Sequence, residues 1–145
     1  FGVSNFTPSQ FELLASRLDF PLVTNEVQFS VMCLDTWYDG TLDLCQKLRI
    51  SPLVWGPLGG GHLFTDNTDR IVRLRATIEE IGATLNATLD QVALAWLLKH
   101  PAHVVPILGA GKLAWIRNAI QAESVVLSRE QWFRLWVAST GERLP

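Results

Sequence analysis

The 145-residue sequence predicts an α/β fold of four parallel strands with covering helices, the content of half a (β/α)8 barrel. Three observations carry this expectation. Short apolar segments alternate with helical periodicity in the order β-α-β-α-β-α-α-β-α-α, the pattern of βαβ units. The chain is apolar for its length, 48% hydrophobic and 18% charged, where an ordinary domain has about a quarter charged. Four strands alone leave two bare sheet edges, and a whole barrel takes about 250 residues, so 145 is a little over half of one.

Each element has a local signal. A short strand is expected at Phe1–Ser4. Thr7, Pro8 and Gln10 then form a capping box with proline at the first helical position, and Phe6 with Phe11 forms a hydrophobic staple. Leu14 and Leu18 continue that helix's apolar face. A second strand is expected at Leu22–Val27, followed by an irregular stretch holding Met32 and Trp37 as packing or loop-anchoring residues. A helix over 41–48 carries Leu44 and Leu48 on one face. Pro52–Trp55 reads as a buried strand running into Gly56-Pro57-Leu58-Gly59-Gly60-Gly61, which is expected to be irregular.

The second half repeats the alternation. Ile71, Leu74, Ile78, Ile81 and Leu85 recur at 3–4–3–4 spacing, an amphipathic helix. Thr88 and Gln91 cap the next one, which carries Leu89, Val92, Ala93, Trp96 and Leu97 and ends before Pro101. Val104–Leu108 is a fourth strand and Gly109-Ala110-Gly111 a turn. The helix over 112–121 is expected to turn Leu113, Ile116 and Ile120 inward. Ser128 with Gln131 caps the last helix, Leu127 with Trp132 staples it, and Trp132 and Trp136 at i, i+4 mark a core face or an interface.

Composition narrows the function. A net charge of −2 gives no basic footprint for nucleic acid and no polybasic membrane patch. The longest apolar run, Val92–Leu98, is seven residues, too short to span a bilayer, and no secretion signal is visible. Cys33 and Cys45, twelve positions apart, make no disulfide framework and suit the reducing cytoplasm. His62, His100 and His103 have no metal-ligand spacing, so no metal site is expected. The chain opens on Phe1 and its one methionine is Met32, so a piece of a longer protein is expected.

The chemistry-bearing residues fall near the carboxyl ends of strands, where barrel sites are built. Ser4, Asn5 and Glu26 can hydrogen-bond an amide, and the Trp55 ring can stack on a flat heterocycle. Gly109–Gly111 opens onto a helix N-terminus beside Lys112, an arrangement suited to phosphate. Glycine also ends strands for steric reasons alone, and Asn5 also suits a turn before the Thr7 cap.

Taken in order, four segments resemble the aldo-keto reductases. Gly2-Val3-Ser4-Asn5-Phe6 resembles that family's GVSNF strand, and Asn25-Glu26-Val27-Gln28 its sixth-strand NQxE segment. Leu53-Val54-Trp55-Gly56-Pro57-Leu58-Gly59-Gly60-Gly61 is similar to its seventh strand, in the W-x-x-L-G-G-G form of a bacterial oxidoreductase subgroup. Val105–Lys112 resembles its eighth strand and phosphate turn.

The resemblance implies that residues 1–145 are the C-terminal half of a (β/α)8 TIM barrel, the NADP-binding half of a carbonyl reductase. Ser4, Asn5 and Glu26 would then bind the nicotinamide carboxamide, and Trp55 would stack on its ring. Gly56, Leu58, Gly59 and Gly60 would approach the pyrophosphate. Gly109, Ala110, Gly111 and Lys112, helped by Arg117, would hold the 2′-phosphate of NADP.

Four positions depart from the family pattern. Glu26 replaces a Gln, Ala110 a Ser, Trp115 an Arg and Ala119 an Asn. Loss of a charged bidentate partner costs about 1.5–3 kcal/mol, so a weakened hold on NADP is expected. The family's Asp, Tyr, Lys and His proton-transfer set precedes the first strand here, and Tyr38 matches no family tyrosine. No catalytic residue is therefore assigned in this chain, which is expected to be inactive alone. The expected partners are the other half of the barrel and a small carbonyl substrate. The alternative is a stand-alone, non-catalytic half-barrel that self-associates, as a dimer, through its sheet edges.

Overall fold

The computed structural model describes residues 1–109 and 111–143. Its sheet has four strands in the order β1-β2-β3-β4: β1 Val3–Ser4, β2 Asn25–Gln28, β3 Leu53–Trp55 and β4 Val105–Pro106. All neighbours pair in parallel, with Ser4 opposite Glu26, Glu26 opposite Leu53, Gln28 opposite Trp55, and Leu53 opposite Val105. Parallel strands in sequential order need a crossover between each pair, and the helices supply it. They are α1 Pro8–Ala15, α2 Asp35–Tyr38, α3 Thr41–Leu48, α4 His62–Thr65, α5 Asp69–Leu85, α6 Leu89–Leu98, α7 Leu113–Ile120 and α8 Arg129–Thr140.

The strands are shorter than hydropathy predicts. Apolarity marks burial, whereas a strand lasts only while both chains stay extended. β1 stops at Ser4 because Asn5 turns into the left-handed region, and β4 starts after His103 does the same. β2 begins at Asn25, not Leu22, because Leu22 is spent in a core cluster with Phe11 and Leu44.

Two stretches expected to be irregular contain short helices. One is α2, and the other is a 3-10 turn at Gly59–Gly61 leading into α4. That turn forms because Gly59, Gly60 and Gly61 all take positive φ, which other residues adopt only with strain.

The capping boxes form as the sequence predicts. The backbone N–H of Thr7, Thr88 and Ser128 donates to the side chain of Gln10, Gln91 and Gln131 at 2.9, 2.9 and 2.8 Å. Ile71, Leu74, Ile78 and Ile81 are buried along α5, which packs on α6 and α8 in the main core. Trp96 and Trp132 lie stacked there, 4.9 Å apart, each indole N–H donating to the other residue's carbonyl.

The inward face expected for α7 is not observed. Leu113 is 60% and Ile120 55% exposed, and Ile116 is half-buried. β4 is an edge strand, and among the described residues no strand lies beyond it for that stripe to cover. The side turned to α6 carries Asn118 instead, which donates to Asp90 at 2.6 Å and accepts from Gln91 at 2.8 Å. Leu48 is likewise exposed at the last turn of α3, while Leu44 is buried.

Candidate functional site

Strand alternation sorts the sheet into two faces. Val27 and Val54 are buried on the face under the helices. Ser4, Glu26, Gln28, Leu53, Trp55 and Val105 alternate with them onto the other face, which is half-buried or exposed. Ser4, Glu26 and Trp55 thus share one face; Ser4 and Trp55 end their strands, and Asn5 follows Ser4 directly.

The structure joins Ser4, Asn5, Glu26 and Trp55. The Trp55 indole N–H donates to Asn5 Oδ1 at 3.0 Å, across 50 positions of sequence. Asn5 Nδ2 donates to Ser4 Oγ at 3.2 Å, and Ser4 Oγ donates to the Glu26 carbonyl at 3.2 Å. The Asn5 backbone N–H donates to that same carbonyl at 2.8 Å. Asn5 holds φ +55, a conformation that asparagine tolerates better than most residues.

Asn25, which the sequence offers beside Glu26 as a polar group able to bind an amide, instead holds that bend. Its side chain accepts from the Phe6 N–H at 3.3 Å and donates to the Phe6 carbonyl at 2.8 Å, bracketing the residue after Asn5. Asn25 is 1% exposed. A signal was present, because a carboxamide on the buried face of a strand needs partners to remain there. Sequence reasoning missed Gln28. It lies opposite Trp55, and its side chain runs beside Gly56.

The glycine turn follows Trp55 directly. Gly59 N–H donates to the Gly56 carbonyl at 2.8 Å and Gly61 N–H to the Leu58 carbonyl at 3.2 Å, so the turn uses these two amides itself. A Cβ on Gly59 would stand 2.5 Å from Met32 Sδ, so Met32 is the floor of the turn.

Gly109, Gly111 and Lys112 follow β4, the neighbour of β3, and are exposed. Ala110 lies outside the described residues. The Lys112 ammonium sits 4.9 Å over the Trp115 ring, a cation–π contact at the start of α7. Arg117 is exposed on α7. Among the described residues, no hydrogen bond links this group to the Asn5–Trp55 cluster.

No group of acidic, histidine or cysteine side chains among the described residues could hold a metal ion. Among the described residues, no single helix is long and apolar enough to cross a membrane. The bent pair α5 and α6, which passes that test by length and composition, is the core pair of the fold. Burial pushes the Cys45 thiol up to about 11 and raises Cys33 as well, so neither is an activated nucleophile.

Comparison with known proteins bears on the family and the fold. The model of the aldo/keto reductase family matches residues 1–136. The chain is 46% identical to the uncharacterized oxidoreductase YcsN of Bacillus subtilis and 46% identical to the oxidoreductase YdhF of Escherichia coli. Each match covers 100% of this chain, and 49% and 48% of the relative respectively. It is 41% identical to a 6-dehydroglucose reductase of Agrobacterium fabrum, over 99% of this chain and 47% of that protein. The fold is similar to that of the thermostable aldo-keto reductase Tm1743, solved with the inhibitor epalrestat, at TM-score 0.84 and 32% identity. That match covers 94% of this chain and 47% of the other. The chain therefore spans about half the length of the relatives it matches, and its four strands correspond to half of their (β/α)8 barrel.

Proposed function

The chain belongs to the aldo/keto reductase family, and from this we propose that its residues form the NADP-binding wall of a carbonyl reductase. The contact that carries the reading is Trp55 Nε1 to Asn5 Oδ1, which sets an aromatic ring beside an exposed carboxamide. A nicotinamide offers the complement, a flat ring bearing a primary amide. The residues fit it on this structure's own terms, since Asn5 is exposed and Trp55 is half-buried, so both can be reached from the open face of the sheet.

In this reading Ser4, Asn5 and Glu26 orient the carboxamide, and Trp55 holds the ring face. Gly56, Leu58, Gly59 and Gly60 lie along the pyrophosphate. Gly109, Ala110, Gly111, Lys112 and Arg117 serve the 2′-phosphate, with Lys112 and Arg117 supplying the positive charge. Bound NADPH supplies hydride for a small carbonyl substrate. Reducing a carbonyl also needs a proton for its oxygen. We assign that transfer to the half of the barrel these residues do not form, so residues 1–145 alone would bind cofactor without turnover.

The exposed face of the sheet would be covered by that other half. A second reading, self-association through the edges β1 and β4, is favoured by the same exposure, with Val105 at 46% and Ile107 at 39%. Two free thiols, Cys33 and Cys45, support placement in the reducing cytoplasm.

Titration of the full-length gene product with NADPH and NADH, followed by nicotinamide emission, tests the proposal. Saturable binding with NADPH preferred is expected. Equal weak binding of both, or none, would refute it.

A further inference from the structure

We propose that Trp55 is a positioning residue as well as a stacking surface: its indole N–H fixes which way round the Asn5 carboxamide stands, and thereby makes the site select a carboxamide over an acetyl group on a bound pyridine ring. The inference rests on the nicotinamide reading above and specifies how that site discriminates.

The argument is one of hydrogen-bond direction. The two ends of an asparagine side chain are nearly equal in shape and opposite in chemistry, so an exposed one can turn over freely. Here both ends are tied. An indole N–H can only donate, so the Asn5 atom facing it at 3.0 Å is an acceptor, Oδ1. At the far end, the Glu26 carbonyl can only accept, so Ser4 Oγ at 3.2 Å spends its proton there. Ser4 Oγ is left as an acceptor for Asn5 Nδ2 at 3.2 Å. The row Trp55, Asn5, Ser4, Glu26 starts at an obligate donor and ends at an obligate acceptor, so only one orientation of Asn5 satisfies it.

The backbone removes the remaining freedom. Asn5 is bent to φ +55. Its N–H is held by the Glu26 carbonyl at 2.8 Å, and the next residue is bracketed by Asn25. Only the amide torsion is left, and Trp55 sets it. After these bonds Asn5 keeps one Nδ2 proton and one Oδ1 lone pair. That pair matches a primary carboxamide, which offers one acceptor and one donor. An acetyl group takes the proton but leaves the lone pair unanswered, at a cost in affinity.

The test compares NADPH with its reduced 3-acetylpyridine analogue on the full-length gene product, using Trp55→Phe and Asn5→Ala. The first variant keeps a ring and removes the N–H, and the second removes the reader. The unsubstituted protein is expected to prefer NADPH by about threefold to tenfold, the worth of one neutral hydrogen bond. In Trp55→Phe the preference falls toward one, because the obligate donor is gone, and the Ser4 hydroxyl can rotate to donate to an amide that has turned over. In Asn5→Ala it falls equally, and the double variant loses no more than either single one. A Trp55→Phe protein that binds both dinucleotides more weakly but keeps the original ratio would overturn the inference, as would additive losses. Failure of the unsubstituted protein to bind either dinucleotide would instead overturn the nicotinamide reading, and this inference with it. Asn5→Ala removes an exposed side chain, so it reads the ratio even if Trp55→Phe does not fold.

Discussion

His100 shows how a residue with catalytic chemistry can be wholly structural. It is 6% exposed, with its ring 5.0 Å from Trp37 and 5.7 Å from Phe29. Its Nδ1 accepts the Ala102 N–H at 3.1 Å, a bond that only an unprotonated nitrogen can accept. Burial pulls its pKa below the ordinary 6.5, and the charge of Asp43 opposes this only in part. The unfolded chain then takes up a proton near 6.5 while the folded chain still resists it. Stability should hold above that value and fall as pH drops through it toward the lowered folded value. His100→Asn, which can accept the same N–H without titrating, should flatten this acid limb when urea midpoints are compared across pH. An unchanged slope would show that His100 is not its source. Legibility at this scale depended on where the partner lay in sequence. Ser4, Asn5 and Trp55 stood at strand ends and could be read as polar groups facing a site. The bracing role of Asn25 could not be read, because it exists only through Phe6, nineteen positions away.

Elements were legible where their signal is local. The three capping boxes formed as spelled, because each depends on residues three apart. Strand lengths and the facing of α7 were not legible, because both depend on neighbours that periodicity does not name. Gly82 in α5 is a similar case. Propensity alone makes Gly82→Ala favourable by about 0.8–1.0 kcal/mol. A Cβ there would stand 2.5 Å from the Ala87 carbonyl oxygen, which is backbone and cannot swing away. Overpacking of this kind costs about 1–3 kcal/mol, so the steric cost should win. Chemical denaturation of Gly82→Ala should show a net loss of up to about 2 kcal/mol, the difference between these ranges. A gain would mean that the turn joining α5 to α6 yields easily.

At the scale of the molecule, four parallel strands and their helices present one finished face and one unfinished face. The finished face buries Val27 and Val54 under helices. The other carries Ser4, Glu26 and Trp55, with Asn5 beside them, and the exposed Val105 on the edge strand, followed by the exposed Ile107. The relatives are about twice as long, and their barrels contain a second half that this chain does not form. The central claim is that the polar end of this face grips a nicotinamide dinucleotide, and hydrogen–deuterium exchange of the full-length gene product with and without NADPH tests it most directly. The account predicts slowed exchange at Ser4–Phe6, Glu26 and Gly56–Gly61, with α5 and α8 unchanged. Unaltered exchange across those strand ends at saturating NADPH, or protection confined to other surfaces, would contradict it.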